Sequence, residues 1–417
     1  MMEGPYKLPK GWRWVRIGEV CTINPRRPQI RRKLDEPTTF VPMMAVDEES
    51  GTIVSAETRP FNQVKKGYTY FEEEDVLFAK ITPCMENGKS AIVRGLCGGI
   101  GFGSTEFHVL RPKELVIPEW IWLFIRQISF RERAKEAFRG GVGQQRVPQK
   151  FLEGYLIPLP SLSEQKRIVA KIQDLLSRVR EVRRLRQEAQ EEAERLWQSV
   201  LADTFPKPGT KLPEGWQLVK LCEVCEHKAG IWGPEASDPN QGLPIVRSTE
   251  IEGFLIRPQT ASIRIINNDR IESYKLEAED MLVNKSSGSA HLVGWPAIFE
   301  GSIEGKIFLF SNFMLRLRPN RNKILGWFLL FYLHNPLARS VYLRAQDTTS
   351  GLRNLRVNEF MKQLIPLPSL TEQHEIVAYL KRVYEKILFL KEAQAQTEAK
   401  LQSLEQAILD KAFRGEL

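Results

Sequence analysis

The chain has 417 residues, 42% of them hydrophobic, and a net charge of +9 from 60 Lys and Arg against 51 Asp and Glu. That is enough apolar chain for two to four domains with real cores, which excludes a disordered protein. The longest apolar runs, such as "WIWLFI" before Arg126, are too short for a membrane span, the opening "MMEGPYKLPKGW" has no apolar secretory core, and five cysteines argue against a disulfide framework, so a cytoplasmic protein with no membrane partner is expected.

In chain order, "LPKGW" at 8–12 leads into short strand-like runs, "TTFVPMMAV", "VLFAKI", "SAIVRG" and "EFHVLR", punctuated by Gly and Pro. A helical stretch follows, "PEWIWLFIRQISFRERAKEAF", and then "IPLPSLSEQKRIVA" at 157–170. From there apolar residues fall at Ile168, Ile172, Leu175, Val179, Val182, Ala189, Ala193, Leu196 and Val200, which predicts a helix from about Ser163, its N-cap, to Asp203. The chain then repeats itself. "LPEGW" at 212–216 answers "LPKGW", and the strand-like runs "LPIVRS", "MLVNK" and "MLRLR" precede the helical "LGWFLLFYLHNPLARSVYL". "IPLPSLTEQHEIVA" at 365–378 shares eleven of fourteen letters with its first copy. After it, Ile376, Leu380, Val383, Ile387, Leu390, Gln394, Thr397, Leu401, Leu404 and Ile408 alternate in fours and threes, a heptad seam with two polar residues in its middle.

"DVLFAK" at 75–80 matches "DMLVNK" at 280–285, and "STEFHVLRP" at 104–112 matches "SNFMLRLRP" at 311–319, so the repeat spans about 200 residues. It predicts an α+β chain with two similar domains, 1–162 and 204–370, and two long helices, 163–203 and 371–417. A lone helix roughly 60 Å long with one apolar stripe needs a partner. Antiparallel pairing of the two as a coiled coil makes the chain pseudo-twofold symmetric and brings "AFRGEL" at the C-terminus close to "LPKGW".

The basic excess sits in the domains. Residues 1–162 hold 24 Lys and Arg against 19 Asp and Glu, and residues 204–362 hold 20 against 16, while the helices are close to neutral. Two different basic domains on a rigid spacer suit the two halves of a split target on double-stranded DNA. Phosphate and base contacts call for Arg, Lys, Asn, Gln and small hydroxyls on loops. The candidates in copy one are Arg26, Arg27, Arg31, Arg32, Lys80, Thr82, Asn87, Lys89, Gln144, Gln145 and Arg146. In copy two they are Arg247, Ser248, Lys285, Ser286, Ser287, His291, Arg353 and Asn354.

Catalytic motifs are incomplete. "CMENGKSA" has Pro83 where a phosphate-binding loop needs its first Gly, and "GGIGFG" at 98–103 precedes a strand rather than a helix. No Asn/Asp-Pro-Pro-aromatic motif for amino methylation is present. The spacing Asp75 to Lys80, repeated at Asp280 to Lys285, hints at a metal nuclease, but a polar turn before a strand accounts for it as well. Cys222, Cys225 and His227 lack the second ligand pair of a structural zinc site and read as two buried thiols. Three classes therefore stay open: a DNA-recognition subunit, a self-contained nuclease or methyltransferase, and a protein-only scaffold.

The repeated "IPLPSLSEQKRIVAKI", the segments "GGVGQQRV" and "SGLRNLRV" before each copy, and the terminal "AILDKAFRGEL" resemble the specificity subunit of type I restriction-modification systems over nearly the whole chain. The resemblance implies a non-catalytic DNA-binding subunit with two target recognition domains. It implies two modification subunits that methylate adenine with S-adenosylmethionine, and restriction subunits that use ATP and Mg, so no cofactor in this chain. "SGLRNLRV" lacks the glutamines of "GQQRV", so the match is weaker there.

Overall fold

A computed structural model describes residues 4–141, 144–289, 291–301, 305–343, 346–349 and 352–417. The chain forms two compact units, residues 1–185 with 395–417, and residues 186–394. Two long helices, Leu162–Thr204 and Leu370–Arg414, each contribute to both. Among the described residues no helix is long and apolar enough to cross a membrane.

The first unit holds two four-stranded sheets. One runs Cys21–Ile23, Phe107–Pro112, Val76–Ala79, Ser90–Ile92, all antiparallel. The other runs Glu57–Pro60, Pro37–Val41, Ile100–Gly103, Thr69–Glu72, with its central pair parallel. In the second unit the strand Met314–Pro319 lies between Cys225–Ala229 and Met281–Asn284, as Phe107–Pro112 lies between its neighbours in the first. Alternation of apolar and polar letters was weak in these strands because the central ones are buried on both faces: Val76, Leu77, Phe78 and Ala79 are all buried.

The repeated motif has a physical role. Its "IPL" is a strand, Leu156–Leu159 in one unit and Leu364–Leu367 in the other, paired antiparallel with Arg13–Arg16 and Gln217–Lys220, the runs just after each "GW". The turn then places a fully buried glutamine. Gln165 accepts from the Ile117 amide at 3.0 Å and donates to the carbonyls of Leu115 and Pro160 at 2.9 and 3.1 Å. Gln373 does the same with the Leu325 amide and the carbonyls of Lys323 and Pro368, at 2.9, 3.0 and 3.1 Å. Each glutamine ties the start of a long helix to the loop that opens its domain helix, Pro118–Ile125 or Gly326–His334.

The second duplicated element, "DVL" and "DML", is a structural ion pair. Arg111 grips Asp75 with two bonds of 2.8 and 2.7 Å, and Arg318 grips Asp280 at the same distances. Each carboxylate also closes its own turn by accepting the amide of Glu72 or Glu277. These buried carboxylates are occupied within the fold, which answers the nuclease-like spacing.

In each unit the two long helices run antiparallel. In the first, Ile168, Ile172 and Val179 share a core with Leu401, Ile408, Leu409 and Phe413, and Arg183 bridges Glu398 and Glu405 at 2.9 and 2.8 Å. In the second, Trp197 and Leu201 pack with Leu380 and Ile387, and Lys391 meets Glu194 at 2.9 Å. The seam departs from the sequence reading in several places. On the first helix it passes from Val179 over Arg183, Arg186 and Gln190 to Trp197, so Val182 and Leu196 face outward at 41% and 56% exposure. On the second, Leu390 and Leu404 also face outward. Gln394 and Thr397 are half-buried on the seam, and Arg186 donates to the Gln394 carbonyl. Long Arg stems cover the partner helix while their heads find acceptors, a stripe that an apolar count misses. The helix caps are Ser161 and Ser369 rather than Ser163, accepting from the amides of Glu164 and Glu372.

The terminal juxtaposition holds. Within the first unit the Tyr6 hydroxyl donates to the Phe413 carbonyl at 3.0 Å, and a Cβ on Gly415 would collide with the ring of Pro9. Phe413 stacks edge-on against Trp120 and Phe124. The covalent counterpart in the second unit is Phe205, edge-on against Phe328 and Tyr332.

Candidate nucleic-acid interface

In both units the same end of a sheet carries the strongest candidates. Lys80 or Lys285 directly follows the strand after each buried Asp, and each lysine amide donates across to the neighbouring strand's turn, at Glu106 or Phe313, at 2.9 Å. Each lysine carbonyl in turn accepts from Val147 or Leu355, at 2.9 and 2.8 Å. Residues some 65 positions apart in the chain thereby become neighbours. In the first unit Ile81 bridges Arg146, and Thr82 donates its amide to Gln145 at 3.1 Å. In the second, Ser286 pairs with Asn354 and Ser287 with Arg353. The structure therefore assembles Lys80, Thr82, Gln144, Gln145 and Arg146 in one cluster, and Lys285, Ser286, Ser287, Arg353 and Asn354 in the matching one.

The side chains in these clusters differ in charge state and freedom. Arg146 holds Glu106 in a two-point pair at 2.8 Å, and that hydrogen bond keeps the Glu106 carboxyl below its usual range. His108, on the adjoining strand, points one ring nitrogen at the Val147 carbonyl at 2.8 Å, and burial lowers its pKa. In the second unit Ser286 donates to the Asn354 side chain at 2.6 Å and Arg353 is exposed. Gln144 is exposed, Gln145 half-buried; Val142 and Gly143 lie outside the described residues.

The remaining candidates are dispersed. Arg26 and Arg31 are exposed on the loop after Ile23, and Arg27 donates to the Lys65 carbonyl. Arg32 is a correction to the loop reading: its side chain is 7% exposed, and its guanidinium binds Glu36 and the Cys97 carbonyl, both at 2.7 Å. Lys89 likewise turns inward to the Val46 carbonyl at 3.0 Å. Both are basic residues consumed by the fold, which composition cannot distinguish from a solvated basic loop. Thr82 donates to Glu86, and exposed Asn87 reaches Glu48 at 3.4 Å. Arg247 pairs with the buried Glu250 at 2.8 Å beside exposed Ser248, and the exposed His291 offers its carbonyl to Arg339.

Among the described residues no group of three His, Cys, Asp or Glu could hold a metal ion. Of the paired thiols in "CEVCEH", Cys225 is buried, and burial raises its pKa, but Cys222 is exposed, contrary to the two buried thiols expected.

The sequence profile of the type I restriction modification DNA specificity domain matches residues 9–191 and again residues 213–399. The chain belongs to that family. It is 41% identical over 177 residues to the type I restriction enzyme EcoEI specificity subunit of Escherichia coli, covering 42% of this chain and 29% of that relative. It is 28% identical over 440 residues to the StySPI specificity subunit of Salmonella potsdam, covering 99% and 90%. The chain thus matches under a third of the EcoEI protein but nearly all of the StySPI one. A solved structure from work on complex assembly and conformational transition of the type I R-M system superposes with a TM-score of 0.81 at 33% identity over 99% of this chain and all of that one. The HsdS subunit from Thermoanaerobacter tengcongensis gives 0.60 at 35% identity with both chains fully covered. These likenesses carry the fold expected from the repeat, two similar recognition domains with two long antiparallel helices.

Proposed function

We propose that this chain is the non-catalytic DNA-reading subunit of a type I restriction-modification assembly, each unit reading one half of a split target. One observation carries the reading furthest. The same fold places the same backbone cluster at the same sheet end in both units, yet fills it with different side chains, Thr82, Gln145 and Arg146 in one and Ser287, Arg353 and Asn354 in the other. A shared frame with divergent polar tips is what two sequence readers require, because backbone-positioning groups repeat while base-reading groups vary. Lys80 and Lys285 fill the phosphate-binding role in both.

The outward apolar residues on the long helices suit a protein partner. Leu388, Phe389 and Leu390 form a run of 37%, 70% and 51% exposure in the second unit, and Val182 and Leu185 are exposed in the first. Large apolar residues left in water along a helix are typical of an interaction face. Two methyltransferase subunits docked there, with S-adenosylmethionine, and restriction subunits with ATP and Mg, complete the reaction; the partners supply all the chemistry. The test is binding of the assembled complex to target DNA across a salt series. The proposal requires log affinity to fall linearly with log salt, and a flat profile contradicts it.

A further inference from the structure

Resting on the DNA-reading proposal, we propose that Trp232 and Phe313 make the second unit a stacking reader: they pack against an unstacked base step in its half of the target, whereas the matching places of the first unit carry no aromatic ring.

The observations are local. The strand Cys225–Ala229 leads into "GIWG", and the two glycines flank the segment that carries Trp232. Gly230 donates its amide to Met314 at 3.1 Å and Ile231 to Phe310 at 2.9 Å. A Cβ on Gly230 would lie 2.1 Å from the Ser311 carbonyl oxygen, and one on Gly233 would lie 2.2 Å from the Ile265 carbonyl oxygen. Only glycine permits either approach, so the segment is clamped at both ends. Between the clamps Ile231 is buried and Trp232 is 41% exposed. The Arg264 guanidinium sits 4.4 Å from the Trp232 ring centroid. It also donates to Ser262 at 3.1 Å and meets Glu235 at 3.5 Å, so it is itself held in place. A large aromatic ring is therefore fixed, backed by a cation and left in water.

Phe313 stands on the turn that Gly230 and Ile231 bracket. It is 51% exposed, and its carbonyl is the one that accepts the Lys285 amide. Two exposed aromatics thus share the sheet end with the lysine, serine and arginine cluster. A core function does not explain them, since both are outside the core. The matching places in the first unit are polar or cyclic aliphatic. By strand register "PRRPQ" at 25–29 stands where "AGIWG" at 229–233 stands, so Pro28 takes the place of Trp232, and Glu106, tied to Arg146, stands where Phe313 stands. Bases offer a π-face to any aromatic side chain, and apolar side chains inserted at a step unstack it and bend the duplex. Cationic surroundings then hold the deformed backbone.

The test uses the assembled complex and duplexes carrying its target, identified from the host's methylation pattern. Each step of the half read by the second unit is replaced in turn by a mismatch, which unstacks it in advance. Wild type should bind one of these duplexes more tightly than the matched duplex. W232A should lose about tenfold on the matched duplex and lose that preference, with an unchanged salt slope, while W232F retains most of both. F313A should act in the same direction, and thermal melting of each variant separates lost stacking from lost folding. Wild-type behaviour of folded W232A on every duplex overturns the inference and leaves the DNA-reading proposal standing. A loss that appears only as a smaller salt slope also overturns it, since that marks a phosphate contact. Absence of salt-dependent binding by wild type overturns both.

Discussion

Replacing Gln165 or Gln373 by Ala should destabilise its own unit, and the two losses should be alike. Each glutamine is fully buried and serves three backbone groups, one amide and two carbonyls. Truncation strands all three. A buried group left without its partner costs about 1–3 kcal/mol, which bounds the loss at roughly 3–9 kcal/mol. The vacated space admits a water that re-satisfies part of the set, so about 3 kcal/mol is expected. Glu at either position should be worse than Ala at neutral pH, because a carboxylate would face two carbonyls. Two units with separate cores need not unfold together, so a single global transition is the wrong observable. Hydrogen exchange resolves them: the Ile117 amide should lose protection in Q165A with Leu325 unaffected, and the reverse should hold in Q373A. Equal protection of Ile117 in wild type and Q165A, or a loss below about 0.5 kcal/mol, would refute the staple and leave the repeated motif unexplained.

Further outcomes follow from the same structure. F413A removes a fully buried ring packed on Trp120 and Phe124, and should cost the first unit about 3–5 kcal/mol in urea unfolding. A circular permutant that joins residue 417 to residue 1 and opens the chain between Pro206 and Lys211 should fold, since Tyr6 already bonds Phe413; circular dichroism and melting check this. Burial holds the His334 pKa down to about 3, against an ordinary 6.5, so folded protein takes up fewer protons than unfolded below pH 6.5. The contribution of neutral His334 to the stability of the second unit is then fully present above pH 6.5 and lost as pH falls toward 3, by at most about 1.4 kcal/mol per pH unit, and H334N should flatten that part of the profile. K285A in the complex should weaken binding across sequences and reduce the salt slope by about one, whereas R353A should chiefly relax the target sequence.

Much of this architecture is legible in the letters. The paired "IPLPSLSEQ" and "IPLPSLTEQ" and a sustained stripe of threes and fours specify two domains and two helices because local periodicity and strand-turn chemistry act over a few residues. The misses come from contacts that local patterns do not encode. Arg183 and Arg186 occupy a seam that hydropathy assigns to Val182, because an Arg stem packs like an apolar residue while the Arg183 head binds Glu398 and Glu405, and the Arg186 head the Gln394 carbonyl, across the helix pair. Arg32 and Lys89 read as surface basic residues, yet the acceptors that turn them inward, Cys97 and Val46, lie 65 and 43 residues away. Lys80 and the pair Gln145 and Arg146 stand in separate stretches of the sequence; only the folded chain joins them, through the bridge between Ile81 and Arg146 and the backbone bonds of Val147 to Lys80 and Thr82 to Gln145.

The most direct test of the account is to sequence the adenine methylation of a host with this gene intact, and with residues 217–355 replaced by the corresponding segment of a relative. Two independent readers predict a split motif in which the exchange changes one half and preserves the other. A continuous motif, or an exchange that alters both halves together, would contradict it.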